Sequence, residues 1–184
     1  MDRGRMMPGW LMAWSAGQVP AAPESADLMG GPYTDSMEAL TVPGPPRRRI
    51  RVSADPIEAA ALLEEVSDPR SGATALFLGT VRDHSEGKKG VTHLDYETYE
   101  GRVEATVDEL ITRASEHWPL NAVVVEHRVG RVILSEVSVA VAVSSAHRAD
   151  AFAAAQFLID ELKAHAPIWK MEFWPGGEEW SQGS

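Results

Sequence analysis

The sequence predicts an α+β fold, with a mixed or antiparallel sheet and helices packed on it. Three observations favour this class: strand-like and helix-like segments do not alternate regularly, their connections mix hairpin with crossover types, and no internal repeat is visible. A chain of 184 residues with 44% hydrophobic residues can bury one sizeable core. We therefore expect one folded domain over residues 47–184.

The first half of this domain predicts three strands and two helices. Asp55-Pro56 supplies an N-cap and a proline for the first helical position, and Asp68-Pro69 ends that helix. Apolar residues at helical spacing predict the second helix, which Pro119 ends. We expect the two strands between the helices to pair as a hairpin with a long loop. The five elements are expected at residues 49–52, 57–66, 73–81, 91–99 and 101–118.

The second half predicts three strands and one long helix. Two β-branched runs are joined across Gly130, and Ser144 or Ser145 is expected to cap the helix that follows. Residues 176–184 are expected to form a loop at the end of the chain. The four elements are expected at residues 122–129, 137–144, 148–166 and 168–173.

Residues 1–46 differ in texture from the rest of the chain. They are rich in Pro, Gly, Met, Ala and Ser and lack any lasting period, which predicts a disordered arm. Arg3 and Arg5 precede a short apolar run that loosely resembles a secretion signal, but Pro8-Gly9 interrupts it. We therefore expect a cytoplasmic protein. Translation that begins naturally at Met37 is an alternative reading of the arm.

Composition excludes several classes of function. A net charge of −10 argues against broad nucleic-acid binding, and no apolar run is long enough to span a membrane. The absence of cysteine excludes a disulfide framework, a thiolate zinc site, an iron–sulfur cluster and a cysteine persulfide. The histidines lack metal-site spacing, and no P-loop or GxGxxG motif is present. We expect no metal and no resident cofactor, and any sulfur must come from a partner.

Basic residues at strand ends are the first candidates for anion binding. Arg82 leaves an expected strand, where its guanidinium can bind phosphate or carboxylate in two-point geometry, or can simply pair with Asp83 in solvent. His147 and Arg148 stand where a strand becomes a helix, whose first turn offers free N–H groups and a positive dipole end. The alternative is that Ser145 only caps this helix and His147 satisfies a buried acceptor.

The His127-Arg128 pair ends another expected strand, just before a glycine. A histidine in a cleft can transfer protons near neutral pH, so a catalytic role is one reading. The alternative reading makes His127 a core histidine and Arg128 an interface residue.

Two lysines form the most informative pattern in the chain. Lys163 lies in the last turn of the long helix, and Lys170 lies on the extended segment beyond a helix-ending proline, so the two cations can converge. In a pocket with Trp169 and Phe173, such a lysine would lose its proton more easily and act as base, acid or nucleophile. The alternative is two solvated charges, with Lys170 paired to Glu172.

Five motifs follow one another along the chain. They are Phe77-x-Gly79-x-Val81-Arg82-Asp83-His84, Leu94-x-Tyr96-Glu97-x-Tyr99, His127-Arg128-Val129-Gly130, Ser145-Ala146-His147-Arg148 and Lys163 with Ala166-Pro167-Ile168-Trp169-Lys170-x-Glu172. Together they resemble the large, catalytic subunit of molybdopterin synthase. The resemblance runs from about residue 50 to residue 172 and omits the arm and the last residues.

The resemblance implies an α/β-hammerhead-like fold and a sulfurtransferase of molybdenum cofactor biosynthesis. Such an enzyme converts cyclic pyranopterin monophosphate to molybdopterin by installing two dithiolene sulfurs. The implied partner is a ubiquitin-like small sulfur-carrier subunit, whose C-terminal Gly-Gly thiocarboxylate enters a pocket of the large subunit. Two large subunits are implied to form the homodimer core of a heterotetramer. The lack of cysteine agrees with sulfur carried by a partner.

The resemblance also implies site residues by position. Lys163 matches the lysine near the C-terminus of the sulfur donor, and Lys170 belongs to the second basic segment. We expect both lysines to be catalytic, to transfer protons and to steady an acyl intermediate. Thr80 stands where many relatives carry a lysine, so one phosphate contact is expected to be weaker or to come from a hydroxyl. The positions implied to bind substrate are Thr80, Val81, Arg82, His147, Arg148, Lys163, Lys170, Met171 and Glu172.

Two other functions fit parts of the pattern. A non-catalytic scaffold that binds a ubiquitin-like tail and a phosphorylated ligand would keep Arg82 and Arg148 without needing both lysines. An enzyme that forms a lysine Schiff base with a phosphorylated carbonyl compound would need only the lysine pair.

Overall fold

The computed structural model describes residues 44–99 and 101–182, so the expected arm lies almost wholly outside the described residues. In the described part, ten strands and three helices follow one another. In chain order they are β1 Arg47–Ser53, α1 Ala59–Glu65, β2 Ala73–Thr80, β3 His84–Ser85, β4 Lys88–Lys89, β5 His93–Thr98, α2 Arg102–His117, β6 Leu120–Arg128, β7 Gly130–Ile133, β8 Val137–Ser145, α3 Arg148–His165, β9 Ile168–Trp174 and β10 Gly177–Gln182.

The larger strands form two four-stranded sheets. The first has the order β1-β6-β8-β2, in which β1 runs parallel to β6 and the other pairs are antiparallel. The second has the order β10-β9-β5-β7 and is antiparallel throughout. Strands β3 and β4 form a small hairpin. The predicted α+β class with mixed and antiparallel sheets is confirmed.

Apolar residues on both faces of the central strands set the layers of the first sheet. Successive strand residues point to opposite faces. The valines of β6 and β8 at 123, 125, 139, 141 and 143 pack with α2 and α3 in the main core. The intervening residues, such as Ala140 and Ala142, pack with Leu62 of α1 on the other face. Helices therefore cover both faces of this sheet.

The hairpin expected between residues 73–81 and 91–99 is wrong. Strand β2 pairs with β8 in the first sheet, whereas β5 pairs with β7 and β9 in the second. The apolar strand β8 accepts β2 along its length, and the intervening loop instead folds on itself as β3 and β4. The chain therefore passes from the first sheet to the second between β2 and β5.

The expected cap of the long helix and the expected C-terminal loop also need correction. Ser144 and Ser145 do not cap α3, because both are buried at the end of β8; the N-cap is His147, without a side-chain cap bond. The hydroxyl of Ser145 donates to the carbonyl of Pro119 at 2.9 Å instead. The C-terminal segment is not a loop, since β10 pairs with β9 after the two-residue turn Pro175-Gly176.

Gly72 lies where β2 approaches the start of α3, and it gives a first prediction. A Cβ at this position would lie 2.6 Å from the carbonyl oxygen of Ala146, a backbone atom that cannot move alone. Gly72→Ala is therefore expected to lower the free energy of unfolding by about 1–3 kcal/mol, as overpacking does. Urea denaturation measures this loss. Gly44→Ala is the matched control, because nothing lies within 4 Å of its added Cβ; equal midpoints for both variants would contradict the prediction.

Candidate active site

A cavity of about 320 Å³ lies where the C-terminal end of α3, the start of β9 and the ends of β2 and β6 meet. The site residues that line it are Thr80, Val81, Arg82, Lys163, Lys170 and Glu172. Val139 and Gly79 form part of the same wall. A Cβ on Gly79 would lie 2.6 Å from Cγ1 of Val139, so the missing side chain lets β2 and β8 pack closely here.

The structure brings the two lysines together as the helix-ending proline predicts. Helix α3 ends at His165, Ala166 is extended, and β9 begins directly after Pro167. Lys163 is exposed, and no carboxylate among the described residues lies within 4 Å of its ammonium. Lys170 lies 3.2 Å from Oε1 of Glu172 and its side chain is 15% exposed. One cation is thus held in place, and the other is available to a ligand.

Glu172 holds this side of the cavity together. Its Oε2 accepts hydrogen bonds from Ser85 at 2.6 Å and from Lys88 at 3.0 Å, and its Oε1 accepts one from Ser181 at 3.3 Å. Burial raises the pKa of this carboxyl, but the bonds from Ser85, Lys88 and Lys170 outweigh burial and lower the pKa from 4.5 to about 2. Glu172 is therefore ionised at neutral pH and both of its oxygens are engaged.

Lys88 is a member of this network that the sequence analysis did not identify. Its ammonium also lies 2.8 Å from Glu179 and 4.8 Å from the ring centroid of Trp174, and its side chain is only 13% exposed. Its partner Glu172 lies 84 positions away in the chain. No local pattern connects the two, so only the three-dimensional structure identifies this contact.

Arg82 lines the cavity just beyond the end of β2. Its Nε donates to the carbonyl of His84 at 2.9 Å, which fixes the side chain while its two terminal nitrogens keep their donors. The alternative pairing with Asp83 does not form, because Asp83 contacts the ring of His84 at 2.7 Å. The hydrogen bond from His84 lowers the pKa of Asp83.

Three of the expected substrate-binding residues do not line the cavity. His147 and Arg148 are exposed at the opposite end of α3, and at 1.5 Å per residue they lie about 22 Å from Lys163 along the helix axis. Met171 lies on the face of β9 opposite to Lys170 and Glu172.

The aromatic lining expected for the lysine pocket is also wrong. Trp169 and Phe173 share the face of Met171. Trp169 packs edge-to-face against Tyr99 with ring centroids 5.3 Å apart, and Phe173 stacks on His93 with centroids 4.3 Å apart. The aromatic side chains that do line the cavity are those of Tyr96, His84 and His127. Burial raises the pKa of the Tyr96 hydroxyl.

Comparison with known proteins identifies the family. Residues 52–165 match the family described as MoaE protein. The chain belongs to this family. A MoaE relative, the molybdopterin synthase catalytic subunit of Arabidopsis thaliana, is 44% identical over 70% of this chain, which spans 64% of that protein. The molybdopterin synthase catalytic subunit of Halalkalibacterium halodurans is 36% identical, and the match covers 72% of this chain and 85% of that protein.

A solved structure agrees with this assignment to the MoaE family. The crystal structure of molybdopterin synthase from Staphylococcus aureus superposes with a TM-score of 0.67 at 33% identity. The match covers 71% of this chain and 94% of that chain. The family resemblance carried by the sequence motifs is therefore confirmed, and so is the fold class.

Proposed function

We propose that this protein is the catalytic subunit of a molybdopterin synthase, a sulfurtransferase of molybdenum cofactor biosynthesis. It would convert cyclic pyranopterin monophosphate to molybdopterin with sulfur from a thiocarboxylated small subunit. The observation that carries the proposal is the cavity in which Arg82, Lys163 and Lys170 meet, with Glu172 holding Lys170 in place. Membership of the MoaE family supports it.

The charges in the cavity suit two anionic reactants. A pterin phosphate and a thiocarboxylate repel each other, and a cluster of cations offsets this repulsion and holds both in reacting geometry. In each transfer, the thiocarboxylate sulfur forms a bond to a side-chain carbon of the pterin, and a carbon–oxygen bond at that carbon breaks. The oxygen stays on the opened phosphate ester in one transfer and leaves as water in the other. Water then cleaves the acyl–sulfur bond, which leaves the sulfur on the pterin and a carboxylate on the small subunit.

We assign different parts of this reaction to the two lysines. Lys170, held by Glu172 at 3.2 Å, stabilises the negative charge that develops on the acyl oxygen. Lys163 has no anionic partner among the described residues and moves the proton during acyl transfer. Arg82 binds the phosphate through its two terminal nitrogens, and Thr80 and Val81 complete that wall.

His147 and Arg148 enter the proposal only through a second copy of the chain. They are too far from Lys163 to reach the same cavity within one chain, although their helix begins without a side-chain cap and so offers N–H donors to an anion. A homodimer that brings this helix end to the partner's cavity would let both residues bind the substrate. The small subunit would add its C-terminal tail to each cavity.

Mixing two inactive variants tests this arrangement. Lys163→Ala and Arg148→Ala are each expected to lose activity, but a heterodimer of the two keeps one intact site. Random exchange is therefore expected to restore about a quarter of wild-type activity, because half of the dimers are mixed and each has one of two sites intact. Product formation after unfolding and refolding of the mixture measures this. A mixture no more active than its separate components would show that the two residues do not share a site across the dimer. Arg148→Ala that is fully active by itself would place Arg148 outside the site.

The proposed reaction has a direct test. A single-turnover assay combines the protein with cyclic pyranopterin monophosphate and a thiocarboxylated small subunit, and detects the dithiolene pterin as its oxidised fluorescent derivative. Product that depends on this chain is the expected result. A complex that forms without product would indicate the non-catalytic scaffold instead. Borohydride trapping of a phosphorylated carbonyl compound would reveal a Schiff-base enzyme.

A cytoplasmic location remains a prediction of this proposal. Among the helices that the structure describes, none is long and apolar enough to cross a membrane. Fractionation of the native host, with detection of the full chain, would test the location.

A further inference from the structure

His127 interrupts an apolar row on a central strand. Val123 and Val125 of β6 face α2 and α3, and the alternation of the strand places His127 next in the same row. His127 is 6% exposed and lines the cavity near the end of α3. An imidazole therefore stands where the pattern of the strand predicts another valine.

The hydrogen bonds of His127 determine which ring nitrogen carries its proton. Nδ1 lies 2.7 Å from the carbonyl oxygen of Arg128, and a carbonyl only accepts, so Nδ1 must be the donor. Burial lowers the pKa of His127 to about 4, although the bond to Arg128 acts in the opposite direction. The ring is therefore neutral at pH 7, and Nε2 carries a lone pair.

Nε2 is available to a ligand. It has no hydrogen-bond partner among the described residues, and it is not one of the unpaired polar atoms sealed from solvent there. The ring of Tyr96 packs against the imidazole edge-to-face with centroids 5.0 Å apart, which fixes its orientation. The lone pair is thus a fixed acceptor in the wall of the cavity.

The charged groups of the cavity offer the opposite chemistry to this neutral acceptor. Lys163, Lys170 and Arg82 are donors without acceptor capacity, and both oxygens of Glu172 are already engaged. A ligand that uses both kinds of group must carry an anion and a separate N–H or O–H donor. A pterin phosphate has this composition, since its ring bears N–H and amino donors apart from the phosphate.

We propose that Nε2 of His127 accepts a hydrogen bond from a ring N–H or amino group of the bound pterin and so fixes the orientation of the ring relative to the lysines. This inference rests on the proposed function and adds a substrate-binding residue to it. A neutral acceptor discriminates against ligands that fill the cavity but lack a donor, because such a ligand would seal the lone pair from water and leave it unpaired.

Two substitutions separate this role from a structural one. In His127→Asn, the amide nitrogen can keep the bond to the Arg128 carbonyl but nothing replaces Nε2. In His127→Gln, the longer amide reaches the Nε2 position and keeps an acceptor there. We expect His127→Asn to weaken binding of cyclic pyranopterin monophosphate about tenfold, and His127→Gln to weaken it much less. A purely structural role predicts the opposite order, which would overturn the inference.

Two further measurements complete the test. Inorganic phosphate probes the cations alone, so its affinity is expected to stay the same in both variants. In the wild-type chain labelled with ¹⁵N-histidine, the Nε2 resonance of His127 is expected to shift on addition of the pterin and not on addition of phosphate. This readout does not depend on whether a variant folds.

The outcomes distinguish this inference from the proposed function. If wild-type protein binds the pterin but the Nε2 resonance does not move, or His127→Asn binds the pterin as well as wild type does, only the role of His127 fails. If wild-type protein binds no pterin at all, the proposed function fails and the inference fails with it.

Discussion

Replacement of Lys163 or Lys170 by alanine is expected to lower the single-turnover rate of dithiolene formation at least about tenfold, a loss of about 1.4 kcal/mol in transition-state stabilisation. Both lysines line the cavity, where their positive charges can stabilise developing negative charge. An alanine at either position removes that charge and replaces it with nothing. The rate with saturating small subunit and pterin measures the effect on chemistry rather than on binding.

The two variants are expected to stay folded. Lys163 is exposed in the last turn of α3, and its removal breaks no ion pair among the described residues. Removal of Lys170 leaves Glu172 with bonds from Ser85, Lys88 and Ser181, so the buried carboxylate remains satisfied. Circular dichroism and urea denaturation check that each variant retains its structure.

Lys89→Ala provides a matched control for charge alone. Lys89 is exposed on β4 and does not line the cavity. Its loss changes the net charge of the chain by the same amount and is expected to leave the rate unchanged. Near-normal turnover by either cavity variant would remove that lysine from the mechanism, and an equal loss in the control would point to long-range charge rather than to the site.

The sequence predicts elements that carry local signals. Pro119 and Pro167 end α2 and α3 as expected, because a proline cannot continue a helix. The β-branched runs become β6 and β8, because β-branched residues favour strands. Pairing partners were less predictable, since β2 finds β8 more than 50 positions away and no nearby residue specifies that choice. Two strands were not predicted because their local signals are weak. Strand β7 has only four residues, and β10 carries charged residues of low strand propensity.

In the candidate site, too, local sequence signals predict some contacts and not others. Lys163 and Lys170 could be brought together from sequence because a single helix stop between them fixes their relation. The 22 Å that separates Arg148 from Lys163 could also be derived, since the residues between them are helical and rise about 1.5 Å each. The contact between Lys88 and Glu172 could not, because it depends on how two distant hairpins meet.

Substitution of Glu172 by glutamine is expected to give the largest loss of stability, about 3 kcal/mol at pH 7. Removal of one partner of a buried ion pair costs about 3–5 kcal/mol where the other charge is left uncompensated. Lys88 keeps its contact with Glu179 at 2.8 Å, whereas Lys170 loses its carboxylate partner. The side chains of Lys88 and Lys170 remain 13% and 15% exposed, so the lower end of that range applies. The pKa shift of Glu172 from 4.5 to about 2 corresponds to a similar value, about 3 kcal/mol.

The pH dependence of this loss has a defined sign. The pKa of Glu172 is lower in the folded protein than in the unfolded chain, so its contribution is complete above pH 4.5 and declines as the pH falls towards 2. Urea denaturation of wild type and Glu172→Gln between pH 7 and pH 2 is therefore expected to give curves that differ at neutral pH and converge in acid. A difference that stayed constant across this range would assign the loss to packing rather than to the carboxylate charge.

Glu179→Gln separates the buried part of the network from its exposed part. Glu179 contacts the same ammonium of Lys88 at 2.8 Å, but its side chain is 63% exposed. Solvent screens this pair, so its loss is expected to cost less than about 1 kcal/mol. If the two glutamine variants lost equal stability, burial of Glu172 would not be the cause. A large loss only at Glu172 would instead show that the carboxylate which positions Lys170 also holds the β3–β4 hairpin against β9.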